Sequence, residues 1–139
     1  MNKNPKVLID FFDRTDYDFL SNFHPVPIKW AGKIWPTTEH AYQAAKTHDV
    51  KYQERIRKAR NPGLAKALGQ QHSFKLHRVE MRSDWETVKY DIMLELLRIK
   101  FHIPAMRRRL IATGNAKLVE GNTWNDTCWG VCNGVGANN

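Results

Sequence analysis

The sequence predicts an α+β fold: a mostly helical single domain, residues 1–139, with a small β-sheet. Three observations predict it. Five segments carry helix start or stop signals in the right places. Only short runs carry apolar or aromatic residues bounded by turn signals. And 139 residues, 42% of them hydrophobic, suit one domain with a real core.

Taken in order, Val7-Leu8-Ile9-Asp10-Phe11-Phe12 reads as a buried strand. A polar and aromatic loop follows, ending in Leu20-Ser21-Asn22-Phe23. Residues 25–30 and 33–35 read as a hairpin around Ala31-Gly32. Pro36 stops the second strand, and Thr37 or Thr38 caps a helix running to about residue 48. Asp49 caps a second helix, 50–60. Asn61-Pro62 breaks it, and Pro62 starts a short helix to Leu68 that Gly69 closes. Ser83 with Glu86 three residues on has capping-box spacing and opens a long helix to about residue 102. Its expected buried stripe is Trp85, Val88, Ile92, Leu96 and Ile99. Pro104 starts another helix to about residue 112, ended by Gly114. Residues 117–120 read as a short strand, and the chain after Gly121 as loop. There is no internal repeat, low-complexity tract or linker.

The charge is strongly positive: 22 Lys and Arg against 14 Asp and Glu, net +8. Basic residues cluster at 55–60 and 107–109. Such a field favours anionic partners, whether nucleic acid, nucleotide or phosphorylated sugar, although clustered cations also occur on ordinary solvated helices. Five tryptophans serve either a core or base stacking. No segment resembles a transmembrane span, and residues 1–5 lack the apolar stretch of a signal peptide, so a cytoplasmic location with reduced thiols is expected. Cys128 and Cys132 lie four apart with no H-x-x-x-H motif to complete a tetrahedral set, so no metal is expected. No phosphate-binding glycine motif is present either, and no cofactor is expected.

The richest stretch is Trp35-Pro36-Thr37-Thr38-Glu39-His40-Ala41-Tyr42-Gln43-Ala44-Ala45-Lys46. Glu39, Tyr42, Gln43 and Lys46 are spaced i, i+3, i+4, i+7 and share a helix face. An acid, a phenol, an amide and an amine stand there together, a set suited to a sugar or a phosphate. The plainer reading is a capped helix with a solvated polar stripe. Asp126 stands in an Asn-Asp loop between Trp124 and Trp129, where aromatic walls tune a carboxylate. Two carboxylates flanking a glycosidic bond can divide its cleavage between them. By itself Asn-Asp is more often a turn than an active site.

Seven short motifs in this order resemble the NADAR family. They are Ser21-Asn22-Phe23; Trp35-Pro36-Thr37-Thr38-Glu39-His40 with Gln43 and Lys46; Trp85-Glu86 with Val88-Lys89; Lys100-Phe101; Lys117-Leu118-Val119-Glu120; Asn125-Asp126 with Trp129-Gly130; and Gly134, Gly136 and Asn138. The resemblance implies an N-glycosidase that hydrolyses N-glycosidic bonds to ribose. One branch of the family acts on phosphorylated ribosylamino-pyrimidine intermediates of riboflavin biosynthesis; another removes ADP-ribose from modified guanine in nucleic acid. The family's functional Glu, Trp and Asp carry over to Glu39, Trp85 and Asp126, which moves Trp85 from core filler to substrate wall.

On this resemblance Glu39, Asp126 and Lys46 are the expected catalytic residues. Asn22, Phe23, His40, Gln43, Trp85, Lys89, Asn125 and Trp129 are the expected substrate contacts. Expected partners are ADP-ribosylated nucleic acid or a phosphorylated ribosyl small molecule, not a membrane, with self-association possible. A non-catalytic ADP-ribose or nucleic-acid binding module is the rival from another class. The family pattern continues past Asn138 with Leu-Gly and a last helix, so the expectation is a domain without that helix and with an apolar patch near the Asp126 loop.

Overall fold

The computed structural model describes residues 7–10, 12 and 15–139. Along the chain the elements are β1 (Leu8–Ile9), a 3-10 helix (Asp18–Leu20), β2 (Ile28–Trp30), β3 (Lys33–Trp35), α1 (Thr38–Ala44), α2 (Val50–Arg57), α3 (Pro62–Leu68), α4 (Gln71–Leu76), α5 (Trp85–His102), α6 (Pro104–Ala112), β4 (Lys117–Leu118), β5 (Gly121–Asn122) and β6 (Val131–Cys132). The fold is α+β, as expected. Contacts divide the chain into two compact units, Asn22–Pro104 and Met1–Ser21 with Ala105–Asn139. Residues 1–5, read above for a signal peptide, and Phe11 of the first expected strand lie outside the described residues.

In the unit Asn22–Pro104, β2 and β3 form the expected antiparallel hairpin, with Ile28 opposite Trp35. Ala31 and Gly32 turn it with φ of 51° and 75°, the left-handed pair that matches the twist of two strands. Ile28 and Trp35 point inward and are fully buried. Lys33 reaches Glu54 on α2 at 3.4 Å, and Arg57 donates to the Ile34 carbonyl at 3.3 Å, which ties hairpin to helix. The Arg57 hydrogen bond, more than any other contact, holds the Glu54 carboxyl down at about 2.

Thr37 is the cap of α1: its hydroxyl accepts from the His40 amide at 3.2 Å. Every residue of α1 is buried, and Ala41 and Ala44 keep its surface thin enough for α2, α3 and α5 to pack around it. Asp49 and Asn61 cap α2 and α3 as read from the sequence. α2 stops at Arg57, short of residue 60. α4 was not foreseen: it buries only Ser73 and Phe74, too little to leave a stripe.

α5 corrects two expectations. Its N-cap is Asp84, not Ser83, and no side-chain cap bond forms. Arg82 takes the Asp84 carboxylate in two hydrogen bonds of 2.6 and 3.0 Å, which removes it from capping duty. The buried stripe is Trp85, Ile92, Met93, Leu96 and Lys100; Val88 and Ile99 are only half-buried. The two stripes overlap on the helix, and the elements packed on it decide which edge is covered.

In the other unit, β1 and β4 pair in parallel, as do β5 and β6. Among its described residues the first strand is not buried throughout: Ile9 turns inward, Leu8 points to the opposite face and is exposed, and Val7 ahead of the strand is exposed as well. The stretch after Gly121, expected as loop, contains β5 and β6. Gly114, at φ 58°, ends the turn after α6. Arg109 of α6 stacks over Phe19 at 4.3 Å. Among the described residues no helix is long and apolar enough to cross a membrane.

Candidate active site

Glu39 occupies the first turn of α1, where the helix dipole favours a carboxylate. Its amide donates to the Asn22 carbonyl at 3.1 Å, so the loop before the hairpin closes the helix start. One turn on, the Gln43 amide donates to Glu39 Oε1 at 2.7 Å. Beyond the helix end, Lys46 Nζ donates to the Gly69 carbonyl at 3.2 Å. It lies 5.6 Å from the ring centre of Tyr42 and 5.9 Å from that of Trp85. Those two rings meet at 5.1 Å and 58°. Glu39, Tyr42 and Gln43 thus share a face of α1 as the spacing predicts, but the helix ends at Ala44, short of residue 48, and Lys46 joins them from the turn beyond it.

The solvated-stripe reading of that face is overturned. Glu39 is 7% exposed and Gln43 3%. A carboxylate loses its hydration at such burial and needs built partners. Burial also pulls the Lys46 ammonium below its ordinary pKa; Lys66 and Lys89 push the same way, while Glu39 and Glu86 oppose. The neutral amine is thus more accessible here than on a surface lysine.

Three members of this neighbourhood left no sequence signal of their own. Lys66, on α3, was read only as a helix residue; its Nζ sits 5.9 Å from the ring centre of Phe23, which is 40% exposed. Glu86 was read as half of a capping box; it receives Lys89 Nζ at 2.6 Å. Gly69 was read as a helix stop. All three come to Lys46 through tertiary packing.

His40 was expected to touch substrate, and its geometry argues otherwise. It is 1% exposed. Nδ1 lies 2.8 Å from the Thr37 hydroxyl and Nε2 3.0 Å from the Ala59 carbonyl. The carbonyl only accepts, so Nε2 carries the proton and Nδ1 accepts from Thr37. Nε2 ties α1 to the chain just past α2 and Nδ1 closes back on the helix's own cap, so both ring nitrogens are engaged. Asn22 points its amide at Met93 Sδ, 3.6 Å away.

Asp126, Asn125 and Trp129 lie in the other unit. Asp126 Oδ1 accepts from the amides of Cys128 at 3.2 Å and Trp129 at 2.9 Å, the turn its sequence context suggested. Asn122 pins the same loop, accepting from the Asp126 amide at 3.0 Å and donating to its carbonyl at 2.8 Å. Asn125 takes a φ of 64°. A side chain at Gly130 would run into the Glu120 carbonyl, and one at Gly136 into that of Gly130. Among the described residues no group of three or more His, Cys, Asp or Glu is placed to hold a metal.

The model of the NADAR domain family matches residues 10–139. The chain belongs to the NADAR domain family. N-glycosidase YbiA of Shigella boydii is 45% identical over 135 residues, 95% of this chain and 81% of that protein. The NMR structure of the E. coli protein YbiA superposes with a TM-score of 0.76 at 42% identity, over 90% of this chain and 72% of that one. Riboflavin biosynthesis protein VVA0006 of Vibrio vulnificus is 33% identical over 116 residues, 83% of this chain but 30% of that protein. The relatives named N-glycosidase support a glycosidase enzyme.

Proposed function

We propose that this protein is an N-glycosidase that removes ADP-ribose from modified guanine in nucleic acid. The observation that carries the reading is the buried row on α1. Glu39, oriented by Gln43, faces charge development at the ribose anomeric carbon or activates water there. Tyr42 and Trp85 wall the sugar from solvent and lower the local dielectric. Lys66 and Lys89 take the phosphates. In hydrolysis the bond from C1 of ribose to the base nitrogen breaks, the water oxygen joins C1, and a proton goes to the base.

A ribose linked through an amine also opens to an imine. Lys46, with its ammonium weakened, then exchanges with the base amine at C1, releases it, and is itself freed by water. The net charge of +8 suits a nucleic-acid substrate.

A second substrate has its own support. The Vibrio relative and a chloroplastic maize relative, 30% identical over 136 residues, are both named riboflavin biosynthesis proteins. A phosphorylated ribosylamino-pyrimidine presents the same amine-linked ribose.

The test is mass spectrometry after incubation with ADP-ribosylated DNA and, separately, ribosylamino-pyrimidine phosphate. Release of unmodified guanine in DNA supports the first reading; turnover of the pyrimidine alone favours the second. Binding without product on either identifies a non-catalytic module. Borohydride added during turnover traps an adduct on Lys46 if the imine route operates.

A further inference from the structure

Gly69 follows α3, and its place in the sequence explains it as a helix terminator. The backbone does not require a glycine there. Its φ of −81° and ψ of 0° fall in the right-handed region open to any residue. Space requires it instead. A Cβ at position 69 would overlap Gln43 Oε1 and lie 2.7 Å from Gln43 Cδ and 2.9 Å from Gln43 Cβ. The amide end of a glutamine swings aside easily, but Cβ is rooted on the helix. Gln43 is 3% exposed, so even its amide has no open space to enter. The orientation of that amide is set by Glu39, since a carboxylate accepts and the nitrogen must face it. On its other side the Gly69 carbonyl accepts from Lys46 Nζ. One backbone residue touches both the amide that holds the carboxylate and the amine one turn further on.

We infer that Gly69 is a positioning residue of the site: its missing side chain admits Gln43 into line with Glu39, and its carbonyl holds Lys46. The kinetic part rests on the glycosidase reading, so one arm of the test needs no activity. Gly69→Ala, Gln43→Ala and the double variant are compared with wild type. In the NMR spectrum of nitrogen-labelled protein, the side-chain amide of Gln43, assigned by its loss in Gln43→Ala, moves away from its wild-type position in Gly69→Ala. On a substrate the wild type cleaves, Gly69→Ala lowers kcat by about 10-fold or more, with KM changed less than about 2-fold, as expected when a catalytic group is displaced rather than removed. In the Gln43→Ala background the same change costs less than it does in the wild type, because the overlap with Oε1 and Cδ is gone and only the 2.9 Å approach to Cβ remains.

An unmoved Gln43 amide overturns the inference. So does an unchanged kcat in Gly69→Ala, or losses that multiply in the double variant. If Gly69→Ala alone fails to fold, recovery of folding when Gln43→Gly is added supports the contact and continued failure overturns it. A wild type inactive on every ribosylated substrate defeats the glycosidase reading, while the amide resonance still decides the geometry.

Discussion

On the proposed function, the chemistry depends on one negative charge held still at Glu39. Gln43 fixes Oε1, the Asn22 carbonyl fixes the helix start, and the residue is 7% exposed. Glu39→Gln keeps the shape and still accepts from Gln43, so the fold is retained. Turnover should drop by ~10²-fold or more, the scale of a positioned acid or base. Steady-state kinetics beside a melting curve check this, and normal turnover in the folded variant would sink the assignment. Asp126→Asn is the matching experiment in the other unit. An asparagine keeps an oxygen for the Cys128 and Trp129 amides, so the loop persists. If the carboxylate charge serves the reaction, turnover falls with little change in melting temperature; unchanged turnover leaves Asp126 a turn residue only.

At the scale of elements, α1 is the central fact. It is buried on all sides, yet carries Glu39, His40 and Gln43. The His40 clamp makes its docking sensitive to acid. Burial, outweighing the Ala59 carbonyl, holds the imidazole below its ordinary 6.5. The unfolded chain therefore takes up its proton first as pH falls. The stabilisation is complete above about 6.5 and is lost as pH drops through the lower, folded value. Melting temperatures measured from pH 7.5 down to 5 should decline across that window. His40→Gln should melt lower at pH 7.5 and decline less steeply. Parallel slopes for the two proteins would show that His40 is not the group responsible.

For the whole molecule the net charge of +8 is the feature that bears on the proposed nucleic-acid substrate. Not all of the clustered cations are available. Arg57 is bound to Glu54, and Arg109 lies over Phe19 and donates to the Asp16 carbonyl at 3.3 Å. Arg107 and Arg108 are exposed. Affinity for an ADP-ribosylated oligonucleotide should fall steeply with salt. Neutralising Arg107 and Arg108 together should flatten the log–log slope by roughly 1 to 2, since each phosphate contact contributes about 0.7 to 0.9. Binding that ignores salt would point to the small phosphorylated substrate instead.

Features made by residues close together in the chain were legible without any structure. The Ala31-Gly32 turn, the Asp49 and Asn61 caps, Pro62 at the start of α3 and the shared face of Glu39, Tyr42 and Gln43 each depend on bonds spanning four residues or fewer, or on helix spacing alone. The motifs that resemble the NADAR family were equally readable, and the family is established. What tertiary structure decided depends on distant partners. The polar row is buried because α2, α3 and α5 close over α1. His40 is consumed by a carbonyl 19 residues away. Gly69 is small for the sake of Gln43 on another helix, not for its own φ. A helix face is a periodicity, which the sequence carries in full; whether that face meets water or protein is a property of whatever packs against it.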